Sequence, residues 1–251
     1  MNPNEFERKM RLGEAFHALR LPPNAWTVVR VDGRSFSRFT ETRFDKPFDP
    51  RFRDLMLAAA RALMAELNAL YAYTESDEIS LLLPRSWATF DREVEKTVSV
   101  AAGIASAAFS VAAGEPAHFD GRVWIGATDG DVVDYFRWRQ SDATRCCLNG
   151  WVYWTLRNEG ASVTEATRAM ERQSVAAKNE ILFQRGVNFN ELPLWQRRGV
   201  GLRWEAFEIS GENPLTGEST LARRRRLVED TDLPMREAYG AYIADLMESS
   251  S

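Results

Sequence analysis

Apolar positions along this chain follow two rhythms, every second residue and every third or fourth, and the switches between them mark the elements. Phe6, Met10, Leu12, Phe16 and Leu19 predict a first helix over 4–20, ended by Leu21-Pro-Pro-Asn24. Val28, Val29 and Val31 then form a short β-branched run that stops at Asp32-Gly33, which reads as a buried strand. Phe36 to Phe44, rich in Arg, Ser and Thr, reads as a loop. Asp49 is an N-cap with Pro50 at the first helical position. Phe52, Leu55, Met56, Ala59, Leu63, Leu67 and Leu70 follow at helical spacing. Tyr71 to Leu83 holds two strand-like runs around Glu75-Ser-Asp-Glu78, a hairpin with an acidic tip. A long helix is predicted from Phe90 to Ala112, striped by Phe90, Val94, Val98, Ala101, Ala105 and Phe109 and stopped by Gly114. Arg122 to Gly126 is a further strand.

Residues 26–126 therefore read β-α-β-β-α-β, the split order of a ferredoxin-like antiparallel sheet with helices on one face, an α+β fold. In that topology the first and third strands are neighbours, which brings Asp32 towards Asp77. The second half is mainly helical to about residue 186, with one helix at Val132, Val133 and Phe136 and the next at Cys147, Leu148, Trp151 and Trp154, closed by Gly160. Further helices start at Thr164-Glu165 and span Ser174 to Gln184. Val200, Leu202 and Trp204 alternate as a strand, and Asn213-Pro-Leu-Thr-Gly217 is a loop before Leu221 to Val228. A last helix packs through Met235, Tyr239, Ile243 and Leu246. The expected division is a sheet core with its N-terminal helix over 1–140 and helical and small β extensions over 141–251 packed on the same domain.

Composition narrows the chemistry. The 251 residues, 45% hydrophobic and 27% charged, suffice for one large or two small domains. No apolar run approaches the ~20 residues of a membrane span. The start, Met1-Asn-Pro-Asn-Glu-Phe6, lacks a signal-peptide pattern, so a cytoplasmic protein without a membrane partner is expected. His17 and His118 are the only histidines and Cys146 and Cys147 are adjacent, a poor supply for zinc or Ser-His-Asp chemistry. The net charge of −4 argues against a general polyanion binder; a nucleic-acid partner would need local basic patches.

Asp-Gly after a strand is usually just a hairpin turn. A second carboxylate alongside makes it a metal–phosphate site instead. Asp32 and Asp77 on neighbouring strands can hold two divalent ions roughly 3.5–4 Å apart. Oxygen donors favour Mg²⁺, and the Gly33 carbonyl is open as a third ligand. Around a triphosphate, Arg30, Arg34, Arg38 and Lys46 supply positive charge, and Ser35, Ser37 and Ser76 supply hydroxyls. A single arginine of this set is as readily a solvated surface group. Arg30 is the exception, because it interrupts an apolar strand and needs a ligand or carboxylate to pair with.

Arg30-Val-Asp-Gly-Arg34, Phe44-Asp-Lys-Pro47 with Asp49, and Glu75-Ser-Asp-Glu78 resemble the tRNA-histidine guanylyltransferase family. So do Phe119-Asp-Gly-Arg122, Asp134-Tyr-Phe-Arg-Trp-Arg-Gln-Ser-Asp142, Lys178-Asn-Glu-Ile-Leu-Phe183 and Asn190-Glu-Leu-Pro193. The resemblance runs in family order over roughly residues 25–210. It implies a polymerase-type palm that adds nucleotides to a 5′ end, with Asp32, the Gly33 carbonyl and Asp77 holding Mg²⁺. It further implies nucleotide binding by Asp32 to Ser37 (Phe36 included) and by Ser76-Asp77, a triphosphate or activation role for Lys46, and phosphate contact by Lys178 and Asn179. ATP or GTP would activate the 5′-monophosphate of a tRNA, and other NTPs would be added, in a homotetramer.

Where eukaryotic members carry His-Ile-Asn-Asn, this chain has Thr144-Arg-Cys-Cys147, and it lacks a residue and a histidine between Phe39 and Phe44. Both departures resemble the bacterial and archaeal branch and imply template-dependent repair of 5′-truncated tRNA over addition of a single G to tRNA-His. Arg223-Arg-Arg-Arg226 is a tRNA-contact candidate that reads equally as a solvated strand edge. Trp138, beside Arg137 and Arg139, is the best stacking candidate among eight tryptophans, most of them core. Two rivals remain: a palm-type nucleotidyl cyclase, needing no RNA, and an RNA-binding sheet, which would show aromatics on its central strands.

Overall fold

Val28, Val29 and Val31 have no exposed surface, and successive strand residues point to opposite faces, so the strand that carries them is covered on both sides. That requirement decides the architecture. The computed structural model describes residues 2–212 and 219–248. The chain runs α1 (Pro3–Arg11), β1 (Trp26–Gly33), α2 (Phe36–Glu41), α3 (Pro50–Glu66), β2 (Tyr71–Glu75), β3 (Glu78–Leu83), α4 (Val94–Ala113) and β4 (Phe119–Gly126). It continues through α5 (Asp129–Asn158), α6 (Val163–Met170), α7 (Val175–Phe183), α8 (Leu194–Arg198), β5 (Val200–Glu212), β6 (Ser219–Asp230) and α9 (Glu237–Glu248). The strands form one antiparallel sheet in the order β4-β1-β3-β2-β5-β6, so β1 and β3 are neighbours as the split βαβ order predicts.

One face packs on α3 and α4: Val29, Val31, Ile79 and Leu81 meet Ala59, Ala60, Leu63, Ala101, Ala105 and Phe109 in one cluster. The small residues of α4 let it lie close to the sheet. The other face packs on α5 and α9, where Val28, Leu82, Tyr71 and Tyr73 meet Val132, Phe136, Tyr239 and Ile243. Helices thus cover both faces, not one as expected. The second layer comes from the C-terminal half, beyond the β-α-β-β-α-β order that suggested the fold.

Other expectations give way locally. The first helix ends at Arg11 rather than at 20, and Phe6, Met10, Leu12, Phe16 and Leu19 are exposed. Within 36–44, expected as loop, Phe36 and Phe39 anchor α2 in an aromatic cluster with Phe52 and Phe109. Phe90 lies in a short 3-10 turn before α4. Against the expectation of no spanning run, α4 is long and apolar enough to cross a membrane, by length and composition; here its buried stripe packs on α3 and the sheet. The two helices expected around 132–136 and 147–160 are one, α5, of 30 residues. The polar run Arg137 to Arg145 hid this, because apolar periodicity cannot see a buried Arg139 or a Gln140 that donates to the Pro234 carbonyl (2.9 Å). The boundary expected at 140/141 falls inside that helix. The loop expected at Asn213 to Gly217 lies outside the described residues.

Candidate active site

A single row of acids crosses the sheet. Cross-strand partners place Asp120 (β4), Asp32 (β1), Glu78 (β3) and Glu75 (β2) side by side on the face that α5 covers. Directly opposed like charges destabilise a sheet unless something compensates them. At the Glu75 end the compensation comes from α5. Arg139, buried, donates from Nε and Nη2 to the two oxygens of Glu78 at 2.7 Å each, and also reaches Asp142 (3.2 Å) and Glu75 (3.7 Å). Arg30 stands 3.7 Å from Glu78, so the arginine that interrupts β1 does pair with a carboxylate. Burial and the neighbouring Glu78 push Glu75 up to about 8, against the pull of Arg139.

Of Asp120, Asp32 and Asp77 at the other end, only Asp120 is ion-paired among the described residues. Gly33 N–H donates to the Asp77 carbonyl (2.9 Å), joining the end of β1 to the hairpin tip that carries Asp77. Burial, then the charge of Asp32, raises Asp77 to about 6; burial and Asp120 raise Asp32. No ion pair reaches Asp32 or Asp77 among the described residues, while Asp120 holds Arg122 at 3.2 Å. Half-buried oxygen donors that repel one another and form no direct ion pair are a donor set suited to a hard divalent cation. Another group, Glu75, Asp142 and Cys146, has its ligand atoms within 4.8 Å of one another. There guanidinium groups are already in place, Arg139 on Glu75 and Asp142, and Arg145 on Asp142.

Beside the hairpin tip opens a cavity of about 460 Å³. Phe36, Ser37, Lys46, Ser76 and Asp77, all expected at a nucleotide site, line it. Lys46 Nζ donates to Thr40 Oγ1 (2.6 Å) and lies over the Trp154 ring; burial lowers its pKa, with Glu41 and Asp77 opposing. Phe36 forms part of the floor and, 2% exposed, belongs to the core as well.

The sequence model of Thg1, tRNAHis guanylyltransferase, matches residues 7–127, and that of the Thg1 C terminal domain matches 130–236. A probable tRNA(His) guanylyltransferase of Dictyostelium discoideum is 33% identical over 234 residues, 87% of this chain and 90% of that one. The chain belongs to the tRNAHis guanylyltransferase family. A tRNA(His) guanylyltransferase of Neurospora crassa is 37% identical over 194 residues, and the match spans 71% of this chain and 66% of that protein, just under two thirds. The solved structure of a bacterial tRNA(HIS) guanylyltransferase (Thg1)-like protein in complex with ATP superposes with a TM-score of 0.71 at 26% identity, covering 96% of this chain and 98% of that one.

Not every residue expected from the guanylyltransferase resemblance gathers at the carboxylates. Asn179 donates to the Val175 carbonyl of its own helix, and Lys178 donates to Asn149 Oδ1 (2.8 Å) on α5, one residue from the cavity wall at Gly150. Arg34 and Ser35 are exposed just past β1, and Ser35 adopts φ 63° ahead of α2. Arg137 pairs with Glu237, while Trp138 is 54% exposed with Arg139 and Arg30 against its ring. Arg139 itself, expected on the tRNA surface, is turned inward onto Glu78. Arg225 lies over Trp204 and Arg226 binds Glu205 (2.6 Å), whereas Arg223 and Arg224 stand exposed on the β5–β6 ribbon. The far wall of the cavity, not among the residues expected at the site, is made by Cys146, Gly150, Tyr153 and Trp154 of α5 with Trp195 and Gln196 of α8. The i, i+4, i+7, i+8 spacing of the α5 residues was the signal available for it.

Proposed function

We propose that this chain is a 3′–5′ nucleotidyltransferase that restores truncated tRNA 5′ ends against a template strand, using a polymerase-type palm. The observation that carries it is the bond between Gly33 N–H and the Asp77 carbonyl, which ties the strand end carrying Asp32 to the hairpin tip where Asp77 lines a cavity of about 460 Å³. In this reading Asp32, the Gly33 carbonyl and Asp77 hold two Mg²⁺ ions. Bound there, the ions supply charge neutralisation at phosphate and a lowered pKa for a hydroxyl nucleophile.

The chain's own groups do the positioning. Lys46 meets phosphate oxygens, Ser37 and Ser76 offer hydroxyls, and the aromatic walls hold a base and exclude water. Asp32 to Ser37 with Ser76 and Asp77 form the nucleotide subsite; Lys178 and Asn179 serve a second phosphate. The RNA 5′-phosphate displaces pyrophosphate from ATP or GTP to form an activated 5′ end. The 3′-hydroxyl of an incoming NTP then attacks that 5′ phosphorus, a new P–O bond forms, and the nucleoside monophosphate leaves. ATP in the related bacterial protein supports an NTP substrate. tRNA contact by Arg137, Trp138 and Arg223 to Arg226, and assembly as a homotetramer, complete the proposal.

The test is Mg²⁺-dependent incorporation of labelled NTP onto a 5′-truncated, monophosphorylated tRNA. Template-matched addition is expected; product formed from NTP without RNA would mean a cyclase instead. The names of the curated relatives favour a second reading, addition of G to the 5′ end of tRNA-His. Full-length tRNA-His extended faster than truncated tRNA would establish it.

A further inference from the structure

Glu78 is the direct cross-strand partner of Asp32, on the same face of the sheet, and paired residues there have Cβ atoms roughly 4.5–5.5 Å apart. A free carboxylate at that position reaches any cation that Asp32 holds. Yet both oxygens of Glu78 are occupied. Oε1 accepts from Arg139 Nε (2.7 Å) and Ser80 Oγ (3.3 Å); Oε2 accepts from Arg139 Nη2 (2.7 Å) and faces Arg30 Nε at 3.7 Å. Glu78 and Arg139 are 7% and 6% exposed, and α5 fixes the guanidinium above the row. Of the two cross-strand partners of Asp32, Asp120 is held by Arg122 and Glu78 is held by Arg139.

We propose that Arg139 is a positioning residue that withholds Glu78 from the metal site and so limits that site to Asp32, Gly33 and Asp77. The proposal rests on the two-carboxylate reading above. A third carboxylate would hold a cation more tightly and draw it off the triphosphate, so binding and turnover should move in opposite directions. Mn²⁺ is the probe, its free concentration read by electron paramagnetic resonance, alongside kcat and KM for NTP addition. Arg139→Met is expected to bind Mn²⁺ about tenfold tighter and to lose about tenfold in kcat, with KM for NTP little changed. Glu78→Gln combined with Arg139→Met removes both charges and should restore both quantities. A simple loss of support for the hairpin would weaken Mn²⁺ binding instead.

If Arg139→Met does not fold, Arg139→Lys keeps the charge and gives up the fork, and tighter Mn²⁺ binding is expected there too. Unchanged or weaker Mn²⁺ binding in the folded single variant, or a double variant no better than the single, overturns the proposal. Asp77→Asn is the control that separates the two readings. If it binds Mn²⁺ like the wild type, the metal site itself falls. If it loses binding while Arg139 variants change nothing, only the role of Arg139 falls.

Discussion

Gly33 has no room for a methyl group. A Cβ there would lie 2.5 Å from the Phe36 ring, which Phe39, Phe52, Phe109 and Phe119 hold in place. Gly33→Ala is therefore expected to cost about 1–3 kcal/mol in urea unfolding and to lower nucleotide addition, since the shift falls between Asp32 and Asp77. Asp77→Asn should separate stability from activity. It removes one of two repelling carboxylates, so the metal-free variant in EDTA should gain about 1–2 kcal/mol while addition falls at least about a hundredfold. At this scale Asp32 and Asp77 are legible in sequence because each sits where an apolar run stops. Arg139 is not: a buried arginine looks like a surface one until the register of Glu78 is known.

Among elements, α3 shows how a local signal becomes a fixed wall. Asp49 accepts from the backbone N–H groups of Arg51 (2.8 Å) and Asp45 (2.9 Å), and the Arg51 guanidinium binds it. The hydrogen bond from Arg51 chiefly holds its pKa down from 3.8 to about 2. A depressed carboxyl stabilises the fold fully above its ordinary value and less as pH falls towards its folded one. Asp49→Ala is expected to lower stability by about 1–2 kcal/mol at pH 7. The gap between the two proteins' melting curves should close as pH drops from about 4 to 2. Asp49-Pro50 declares this helix in sequence because cap and first turn are adjacent. The length of α5 is not declared, since its middle is polar and made apolar in effect only by distant partners, Glu78 and the Pro234 carbonyl.

For the whole molecule, the two faces of the sheet have different sources. The element order that reveals β1 to β4 says nothing about a second helical layer, because no short-range pattern connects β1 with α9. The β5–β6 ribbon extends beyond that body, with Glu205 opposite Arg226 and Glu208 opposite Arg223 in its register. If it meets tRNA, Arg223→Ala with Arg224→Ala should reduce the slope of log K against log salt by about one to two. Filter binding across a salt series measures it, and an unchanged slope assigns the ribbon to solvent.

One rod ties these levels together. α5, 30 residues and about 45 Å long, packs Val132 and Phe136 under the sheet, holds Arg139 over the acids, and turns Tyr153 and Trp154 to the cavity. Angular phase along it is thus shared between the carboxylate end and the cavity end. A single residue inserted between Arg139 and Tyr153 would swing one end by about 100° relative to the other, so only insertions near whole turns would leave the two halves facing the same substrate.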